Sequence, residues 1–281
     1  MSSAPRRSPL LAAAGLALLA AWLARRLPPA WGVAVGAATL AVVLALIVRE
    51  LARCLPGEIH LARAWLGLPT RRAPDAYVRG LFDSYAARYD AHLFAELDYR
   101  VPNLLRDLVG DRLGGASGRP SVADLGCGTG ALGPLFRGLA GRLDGVDLSP
   151  GMLGRARARG VYDELVAGDL VGFLRQRPGR YDLLLAADVL PYLGDPGPLL
   201  AAAAAALRPG GRLALSAERH DGPGPGHVLT RTGRFAHDPA ALVGLAEAAG
   251  LALESRIEGA LRRERGRPVE GVGLLLKKSA S

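Results

Sequence analysis

The segment VADLGCGTG, residues Val122–Gly130, decides the fold of the larger part of this chain. Its apolar first half predicts a short strand that ends with Asp124, and a helix is expected to begin near Ala131. Between strand and helix, glycines occupy alternate positions: Gly126, Gly128 and Gly130. Because glycine lets the backbone turn tightly and approach a ligand closely, this turn is a candidate ligand-binding loop.

The glycine pattern alone is compatible with two kinds of cofactor site. Gly128, Gly130 and Gly133 also spell the G-x-G-x-x-G motif of dinucleotide-binding folds. Asp147 follows at the spacing at which such folds place the acid that binds the ribose. A nicotinamide-dependent oxidoreductase therefore stays open at this point, and the later segments have to decide.

Four later segments repeat the order of an apolar strand followed by an acid or a turn. They are GVDLSPGML (Gly145–Leu153), VAGDL (Val166–Leu170), YDLLLAADVLPYL (Tyr181–Leu193) and LRPGGRLALSAE (Leu207–Glu218). One strand-helix unit separates each acid from the next in the series Asp124, Asp147, Asp169 and Asp188. Each acid is thus expected to end a successive parallel strand, at the sheet edge where doubly wound folds bind ligands.

These segments, in this order, resemble the class I S-adenosylmethionine-dependent methyltransferases over roughly residues 58 to 278. The resemblance implies an α/β fold: a Rossmann-like, seven-stranded, doubly wound sheet with one antiparallel strand. It also implies S-adenosyl-L-methionine as the methyl donor. Leu251–Arg262 and Val269–Lys277, joined by a turn near Gly266, are expected to be the last two strands of that sheet.

Two further stretches are similar to a narrower group, the predicted methyltransferases that usually carry tetratricopeptide repeats ahead of the catalytic domain. One is APDAYVRGLFDSYAARYDAHLFAELDYRVPNLL (Ala73–Leu105) and the other is GRFAHDPAALVGLAEAAGL (Gly233–Leu251). This chain departs from the group because two apolar stretches stand where the repeats would be. Repeat-mediated partner binding is therefore not carried over.

The resemblance implies a role for each acid and glycine of the candidate site. Asp124 and the backbone of Gly126, Gly128 and Gly130 would cradle the methionine part of the cofactor. Asp147 would accept hydrogen bonds from the two ribose hydroxyls, which suits a carboxylate because it only accepts and has room for two donors. The competing interpretation of each strand-end acid is that it caps the next helix.

The adenine end of the cofactor is assigned in the same way. Leu148 and Met152 would pack on the base, since apolar side chains suit a flat ring. Asp169 would accept from the exocyclic amine, and the Leu170 amide would face a ring nitrogen. Tyr85 shares a helix face with Phe82 and Tyr89, and in the resembling family this aromatic helix covers the donor; core packing is the alternative.

Candidate catalytic residues are fewer, because methyl transfer is an in-line displacement that depends strongly on positioning. Asp188 and Tyr192 follow the fourth strand and are the best-placed polar residues on the acceptor side, with Asp188 also near the cofactor. His237 is a candidate general base. However, Asp238 and Pro239 behind it predict the start of a helix, so His237 has an alternative role in that structural corner. No metal is expected, because no cysteine or histidine pair has ligand spacing.

The net charge of +9 is concentrated near the N-terminus. Residues 1–72 hold nine arginines against two glutamates, whereas residues 73–281 hold 26 basic and 24 acidic residues. The larger part of the chain is nearly neutral, so nucleic acid is not an expected partner.

The same basic region contains two uncharged stretches, residues 8–24 and 27–48, each long enough for a membrane-spanning helix. They predict a two-helix transmembrane hairpin in residues 1–55, a juxtamembrane helix and linker in 56–74, and the methyltransferase domain in 75–281. Arginines dominate the flanks on one side of the hairpin, so both ends are expected to face the cytoplasm. A cleaved signal peptide is the competing interpretation of the first stretch.

The sequence therefore predicts a methyltransferase anchored in the cytoplasmic membrane, with its catalytic domain facing the cytoplasm. Its acceptor would be a small molecule or a lipid-like compound. The alternative is a catalytically silent cofactor-binding or scaffold domain on a membrane anchor. The acceptor atom and the oligomeric state stay open.

Overall fold

The computed structural model describes residue 22, residues 29–110, residue 112, residues 119–222 and residues 226–279. Apart from Trp22, the first predicted membrane helix lies outside these described residues. By its internal contacts the chain divides into two units, with the division between Ile59 and His60.

A long N-terminal helix, α1, covers Pro29–Leu66. Within the described part of the chain it is the one helix long and apolar enough to cross a membrane, judged by length and composition. The predicted end at Val48 and the separate juxtamembrane helix within 56–74 differ from this structure, in which one helix runs through Pro56. Charged residues end an apolar span, but they form helix as readily as leucine does, and a single proline removes only one backbone donor.

The second unit is built around a seven-stranded sheet. Its strands are β1 (Ser121–Leu125), β2 (Arg142–Asp147), β3 (Glu164–Ala167), β4 (Tyr181–Ala186), β5 (Leu207–Glu218), β8 (Leu251–Glu264) and β9 (Arg267–Lys278). The order across the sheet is β3-β2-β1-β4-β5-β9-β8, and β9 is antiparallel to both of its neighbours. The predicted seven-stranded sheet with one antiparallel strand is confirmed. A separate two-stranded sheet pairs β6 (His227–Leu229) with β7 (Phe235–His237).

Helices cover both faces of the large sheet. They are α2 (Asp75–Tyr85), α3 (Tyr89–Ala91), α4 (Val101–Val109), α5 (Gly133–Arg137), α6 (Pro150–Ala158), α7 (Leu170–Arg175), α8 (Gly197–Ala206) and α9 (Pro239–Ala248). A π-helical turn follows α3 at His92–Glu96, and a 3-10 turn occupies Leu190–Tyr192. The predicted start of α9 is confirmed, because the Asp238 side chain accepts hydrogen bonds from the amides of Ala240 and Ala241.

Strand β4 shows why the central strands are apolar throughout. Leu183 and Leu185 belong to the core on one face of the sheet, whereas Leu184 and Ala186 belong to the core on the other. A strand between two helical layers must bury both of its faces, since its side chains alternate. The strand order reverses between β1 and β4, which opens a crevice at their carboxyl ends.

Candidate active site

A solvent-open cleft of about 830 Å³ lies at the carboxyl ends of the parallel strands. Several sequence-predicted residues line it together: Gly126 and Gly128 after β1, Asp147 and Leu148 after β2, Asp169 and Leu170 after β3, and Asp188 and Tyr192 after β4. Phe82 from α2 and Tyr89 from α3 close one side. The acids thus share one edge of the sheet, as their spacing predicts.

The loop after β1 depends on its glycines. Gly126, Gly128 and Gly130 have φ values of 69°, 55° and 84°, a region in which other residues are strained. A Cβ atom on Gly126 would lie 2.8 Å from Cγ2 of Val189. The backbone therefore approaches the cleft more closely than a side chain would permit. Gly130 itself does not line the cleft; it packs against Tyr162 and α6 behind the loop.

Asp147 is held in place by two backbone donors. Its Oδ2 accepts from the amide of Gly128 at 2.9 Å, and its Oδ1 accepts from the amide of Ser149 at 2.8 Å. Burial raises the pKa of Asp147, and the hydrogen bonds from Ser149 and Gly128 oppose that rise. A carboxylate offers about four acceptor positions, so each oxygen keeps capacity toward the cleft.

Asp124 lies beneath the glycine loop and not in the cleft wall. It is fully buried; Oδ2 accepts from the Tyr162 hydroxyl at 2.7 Å, and Oδ1 has no hydrogen-bond partner among the described residues. Burial raises its pKa to about 7, although the Tyr162 hydrogen bond acts in the opposite direction. A buried acid with an unused oxygen beside a close-approach loop is a polar group that a bound ligand can satisfy.

The sequence left two interpretations of Asp169 open, helix capping and a place in the ligand site, and its position is compatible with both. Its Oδ2 accepts from the amide of Gly172 at 2.8 Å and so caps α7. Its side chain is still 40% exposed, lines the cleft and lies 3.8 Å from the guanidinium of Arg72. Capping therefore does not remove this carboxylate from the cleft.

Two other predicted cofactor residues lie elsewhere. Met152 is 1% exposed in α6 and does not line the cleft. Tyr85 lines a neighbouring chamber, where its hydroxyl is hydrogen bonded to Nδ1 of His92. Their predicted contacts with the cofactor stay predictions.

A buried charge network lies next to Asp188, at one side of the cleft. Asp188 has a φ of 56°, and its amide donates to Oγ of Ser216 at 3.0 Å. Glu218 accepts from Arg234 at 2.6 Å and from Arg262 at 2.7 Å. Burial would raise the pKa of Glu218, but the two guanidinium groups outweigh it and lower that pKa below its usual range.

Sequence reasoning missed both arginines of this network. Arg234 lies between β6 and β7, and its Nη1 donates to the hydroxyl of Tyr192 at 3.0 Å. Arg262 lies in β8 among other charged residues, and no local pattern marks it as 3% exposed. A charged residue on the inward face of a strand would have indicated a buried arginine. However, which face of the strand points inward is known only from the fold.

His237 lies away from the cleft, in the corner formed by β7. Its Nε2 is hydrogen bonded to the carbonyl oxygen of Leu193 at 2.8 Å, and the residue is 2% exposed. Burial lowers its pKa to about 4. This placement favours the structural interpretation over the catalytic one. Among the described residues, no group of three or more His, Cys, Asp or Glu side chains is arranged to hold a metal ion.

Comparison with known proteins agrees with this geometry. Residues 123–213 match the family model described as "Methyltransferase domain". A ubiquinone biosynthesis O-methyltransferase of Thiobacillus denitrificans is 29% identical over 150 residues, which cover 49% of this chain and 64% of that protein. The protein of the same name from Burkholderia orbicola is 33% identical over 143 residues, covering 46% of this chain and 62% of that relative. The chain thus matches less than two thirds of either relative.

Solved structures show the same fold. The 1,6-didemethyltoxoflavin-N1-methyltransferase of Burkholderia thailandensis, solved with S-adenosylhomocysteine, has a TM-score of 0.57 at 21% identity and covers 75% of this chain and 92% of its own. The [4+2]-cyclase SpnF has a TM-score of 0.59 at 16% identity, covering 76% of this chain and 99% of its own.

By these matches residues 123–213 are a methyltransferase domain, and S-adenosylmethionine is the cofactor that such a domain implies. The residues present fit that group: the close-approach loop at Gly126, the free acceptor capacity of Asp147 and the unused oxygen of Asp124. When bound, the cofactor supplies a methyl group on a sulfonium centre. The narrower grouping with repeat-bearing methyltransferases stays a prediction.

Proposed function

We propose that this protein is a membrane-anchored methyltransferase that transfers the methyl group of S-adenosylmethionine to a small acceptor residing in the membrane. One observation carries the transferase assignment: Asp147, fixed by the amides of Gly128 and Ser149, faces a cleft whose loop turns through three glycines with positive φ. In this proposal Asp147 binds the ribose hydroxyls. Asp124 and the glycine loop bind the methionine part, and Asp169 and Leu170 bind the adenine.

Two observations support a membrane-borne acceptor. Helix α1 is apolar enough to cross a bilayer by length and composition, and its exposed side chains include Trp31, Val33 and Leu40. In addition, the matched relatives carry names that place them in ubiquinone biosynthesis as O-methyltransferases. An apolar anchor would keep the active site near acceptors that partition into the membrane. We assign the catalytic domain to the cytoplasmic side, because arginines dominate the flanks that would remain there.

The cofactor part is tested by isothermal titration of the detergent-solubilised full chain with S-adenosylhomocysteine. Wild type is expected to bind, and Asp147→Ala is expected to abolish binding, because a ribose without its acceptor leaves two hydroxyls unpaired. Asp221→Ala is the matched control, since that carboxylate is 65% exposed and pairs with Arg219. Absence of binding by wild type contradicts the proposal.

Transfer is tested separately by incubating the protein with radiolabelled donor and fractions of a membrane extract. Label is expected in the lipid fraction and not in the peptide or water-soluble fractions. The SpnF structure gives a reason to test this point, since a protein of the same fold is named as a cyclase. Binding of S-adenosylhomocysteine without label in any fraction favours the silent scaffold instead. A reporter fused after Ser281 tests the orientation of the domain.

A further inference from the structure

The C-terminal end of α1, from His60 onward, belongs to the second unit and has two unlike faces. One face is buried: His60 and Ala64 are 2% and 3% exposed, and Nε2 of His60 is hydrogen bonded to the carbonyl oxygen of Gly233 at 2.8 Å. The other face carries Trp65 and Leu66, which are 71% and 72% exposed. Because the helix end already packs on the β6–β7 connection through its first face, the exposed pair is not needed for packing within this unit.

The turn that ends α1 enlarges this exposed surface. Gly67 has a φ of 65°, and the amide of Leu68 donates to the carbonyl oxygen of Arg63 at 2.9 Å, as in helices that end with a left-handed residue. Leu68 is thereby left 47% exposed. Trp65, Leu66 and Leu68 form what we call the apolar patch. Three large apolar side chains exposed within four positions differ from the scattered ones that any protein surface carries.

Arginines surround the apolar patch. The guanidinium of Arg231, from the β6–β7 connection, lies 5.8 Å from the centre of the Trp65 ring, within the range of a cation–π contact. Arg63 is exposed on the last turns of α1, and Arg71 is exposed shortly after Leu68. These three arginines are the basic rim of the patch. Residues 60–74 and 226–237, which supply the patch and its rim, contain no aspartate or glutamate.

From this surface we infer that the apolar patch inserts into the surface of a membrane that carries anionic lipid, while the basic rim binds the lipid phosphate groups. Tryptophan is suited to this depth, because its ring is apolar and its N–H stays near the headgroups. Arginine is suited to phosphate, because its planar fork donates two parallel hydrogen bonds. This contact rests on the proposed function, since α1 would hold the domain at the same membrane, and it is made by the second unit itself.

Charge favours lipid over a second copy of this chain as the occupant of the patch. Two copies that met through their patches would bring two basic rims together, and like charges repel each other. Anionic headgroups attract the same arginines. Exposed apolar side chains next to arginine are also the composition of segments that lie in a membrane interface.

The contact requires a bend in α1. Trp65 lies 17 positions after Val48, the last residue of the uncharged stretch, which is about 25 Å along a straight helix. Pro56 lies in that interval, and prolines are the commonest site of sharp helix bends. The helix therefore contains a residue at which the patch can turn toward the bilayer.

The patch is connected directly to the wall of the cleft. After Leu68 the chain reaches Arg72 and Ala73, which line the cleft. The amide of Ala73 donates to the carbonyl oxygen of Tyr192 at 2.9 Å, and the carbonyl oxygen of Arg71 accepts from the amide of Asp195 at 2.8 Å. Insertion of the patch would therefore bring this rim of the cleft close to the lipid and shorten the path of an acceptor that resides in the membrane.

Brominated lipid tests the contact directly, because bromine quenches tryptophan fluorescence only at short range. The chain has three tryptophans, so replacing Trp22 and Trp31 by Phe leaves Trp65 as the reporter of the patch. Replacing Trp22 and Trp65 by Phe leaves Trp31 as the reporter of the proposed span. Each full chain is reconstituted in vesicles of phosphatidylcholine, brominated near the headgroup end of its acyl chains, with about 30% phosphatidylglycerol.

Both reporters are expected to lose about half of their emission relative to vesicles of unbrominated lipid. Without phosphatidylglycerol, the quenching of Trp65 is expected to fall about twofold, whereas that of Trp31 should not change. Arg63→Glu combined with Arg231→Glu is expected to lower the quenching of Trp65 by a similar factor, because attraction becomes repulsion. Arg180→Glu is the matched control, since Arg180 is exposed and precedes β4, at the opposite edge of the sheet from the cleft.

Each outcome decides a stated point. Quenching of Trp31 without quenching of Trp65 overturns the inference and leaves the proposed anchor intact. Quenching of Trp65 that does not depend on phosphatidylglycerol, or that survives reversal of the two arginines, overturns it too. An unquenched Trp65 whose emission shifts to shorter wavelength as the protein-to-lipid ratio rises overturns it in favour of a second copy. An unquenched Trp31 overturns the proposed anchor instead.

Discussion

The hydroxyl of Tyr162 donates a 2.7 Å hydrogen bond to Oδ2 of Asp124, a carboxyl group with no exposure to solvent. The bond joins Asp124, one residue before the end of β1, to the segment before β3, beneath the loop that approaches the cleft. Burial outweighs this bond and raises the pKa of Asp124 to about 7. Asp124 therefore changes charge near neutral pH, unlike an ordinary aspartate.

The first prediction concerns stability and pH. Because the folded-state pKa of Asp124 is above its unfolded value of 3.8, folding favours the protonated form, and its contribution to stability is lost as pH rises from about 4 to 7. Asp124→Asn cannot ionise and still offers an oxygen to Tyr162. The unfolding free energy of the variant minus that of wild type is expected to be larger at pH 8 than at pH 4, by on the order of 4 kcal/mol. Urea titrations at both pH values measure this, and an unchanged difference between the proteins contradicts it.

The second prediction concerns His237. Its folded-state pKa of about 4 lies below the usual 6.5, so folding favours the neutral ring, and stability is lost as pH falls from about 6.5 through 4. His237→Gln keeps a donor for the Leu193 carbonyl but does not titrate. Between pH 6.5 and pH 4 we expect the unfolding free energy of the variant to fall by about 3 kcal/mol less than that of wild type.

Activity gives the control for His237. Because the side chain bonds Leu193 and does not line the cleft, His237→Gln is expected to keep kcat within about threefold of wild type. A loss of 100-fold or more in a variant that remains folded would restore the general-base hypothesis.

The third prediction concerns the ion pairs of Glu218. Glu218→Gln leaves Arg234 and Arg262 buried without their shared carboxylate, which is expected to cost about 3–5 kcal/mol at pH 7. Since the folded-state pKa of Glu218 is lowered, the loss should shrink as pH falls below about 4.5. Glu258→Gln is the comparison, because Glu258 is 43% exposed and its pair with Arg219 should be worth at most about 1 kcal/mol. Thermal unfolding of the two variants side by side distinguishes them.

The fourth prediction concerns the glycine loop. Gly126→Ala places a Cβ atom 2.8 Å from Val189 at a φ of 69°, so it is expected to destabilise the protein by roughly 1–3 kcal/mol. It should also weaken binding of S-adenosylhomocysteine, because the loop has to move away from the cleft. Gly138→Ala has a φ of −64° and open space around it, and it is expected to be neutral in both measurements.

Local sequence was sufficient for the fold of the sheet and for gathering most of the strand-end acids at one cleft. Each strand that ends in an acid and a turn is a contiguous signal, and parallel strands bring their carboxyl ends to one edge whatever the details of packing. That is why Gly126, Asp147, Asp169 and Asp188 lie around one cleft. Helix bounds were less predictable: the polarity of Arg49–Gly57 marks the end of an apolar span, whereas backbone hydrogen bonding continues to Leu66.

By itself, then, the sequence determined which strands form the sheet and that Asp147, Asp169 and Asp188 share one edge of it, because both follow from short-range patterns along the chain. Only the tertiary structure decided the charge network around Asp188. Arg234 and Arg262 reach Asp188 from 46 and 74 positions further along the chain, from the connection between β6 and β7 and from β8. Two charged residues become buried partners only if their strands pair and both side chains lie on the inward face. The sequence around a charged residue shows neither the pairing nor the face.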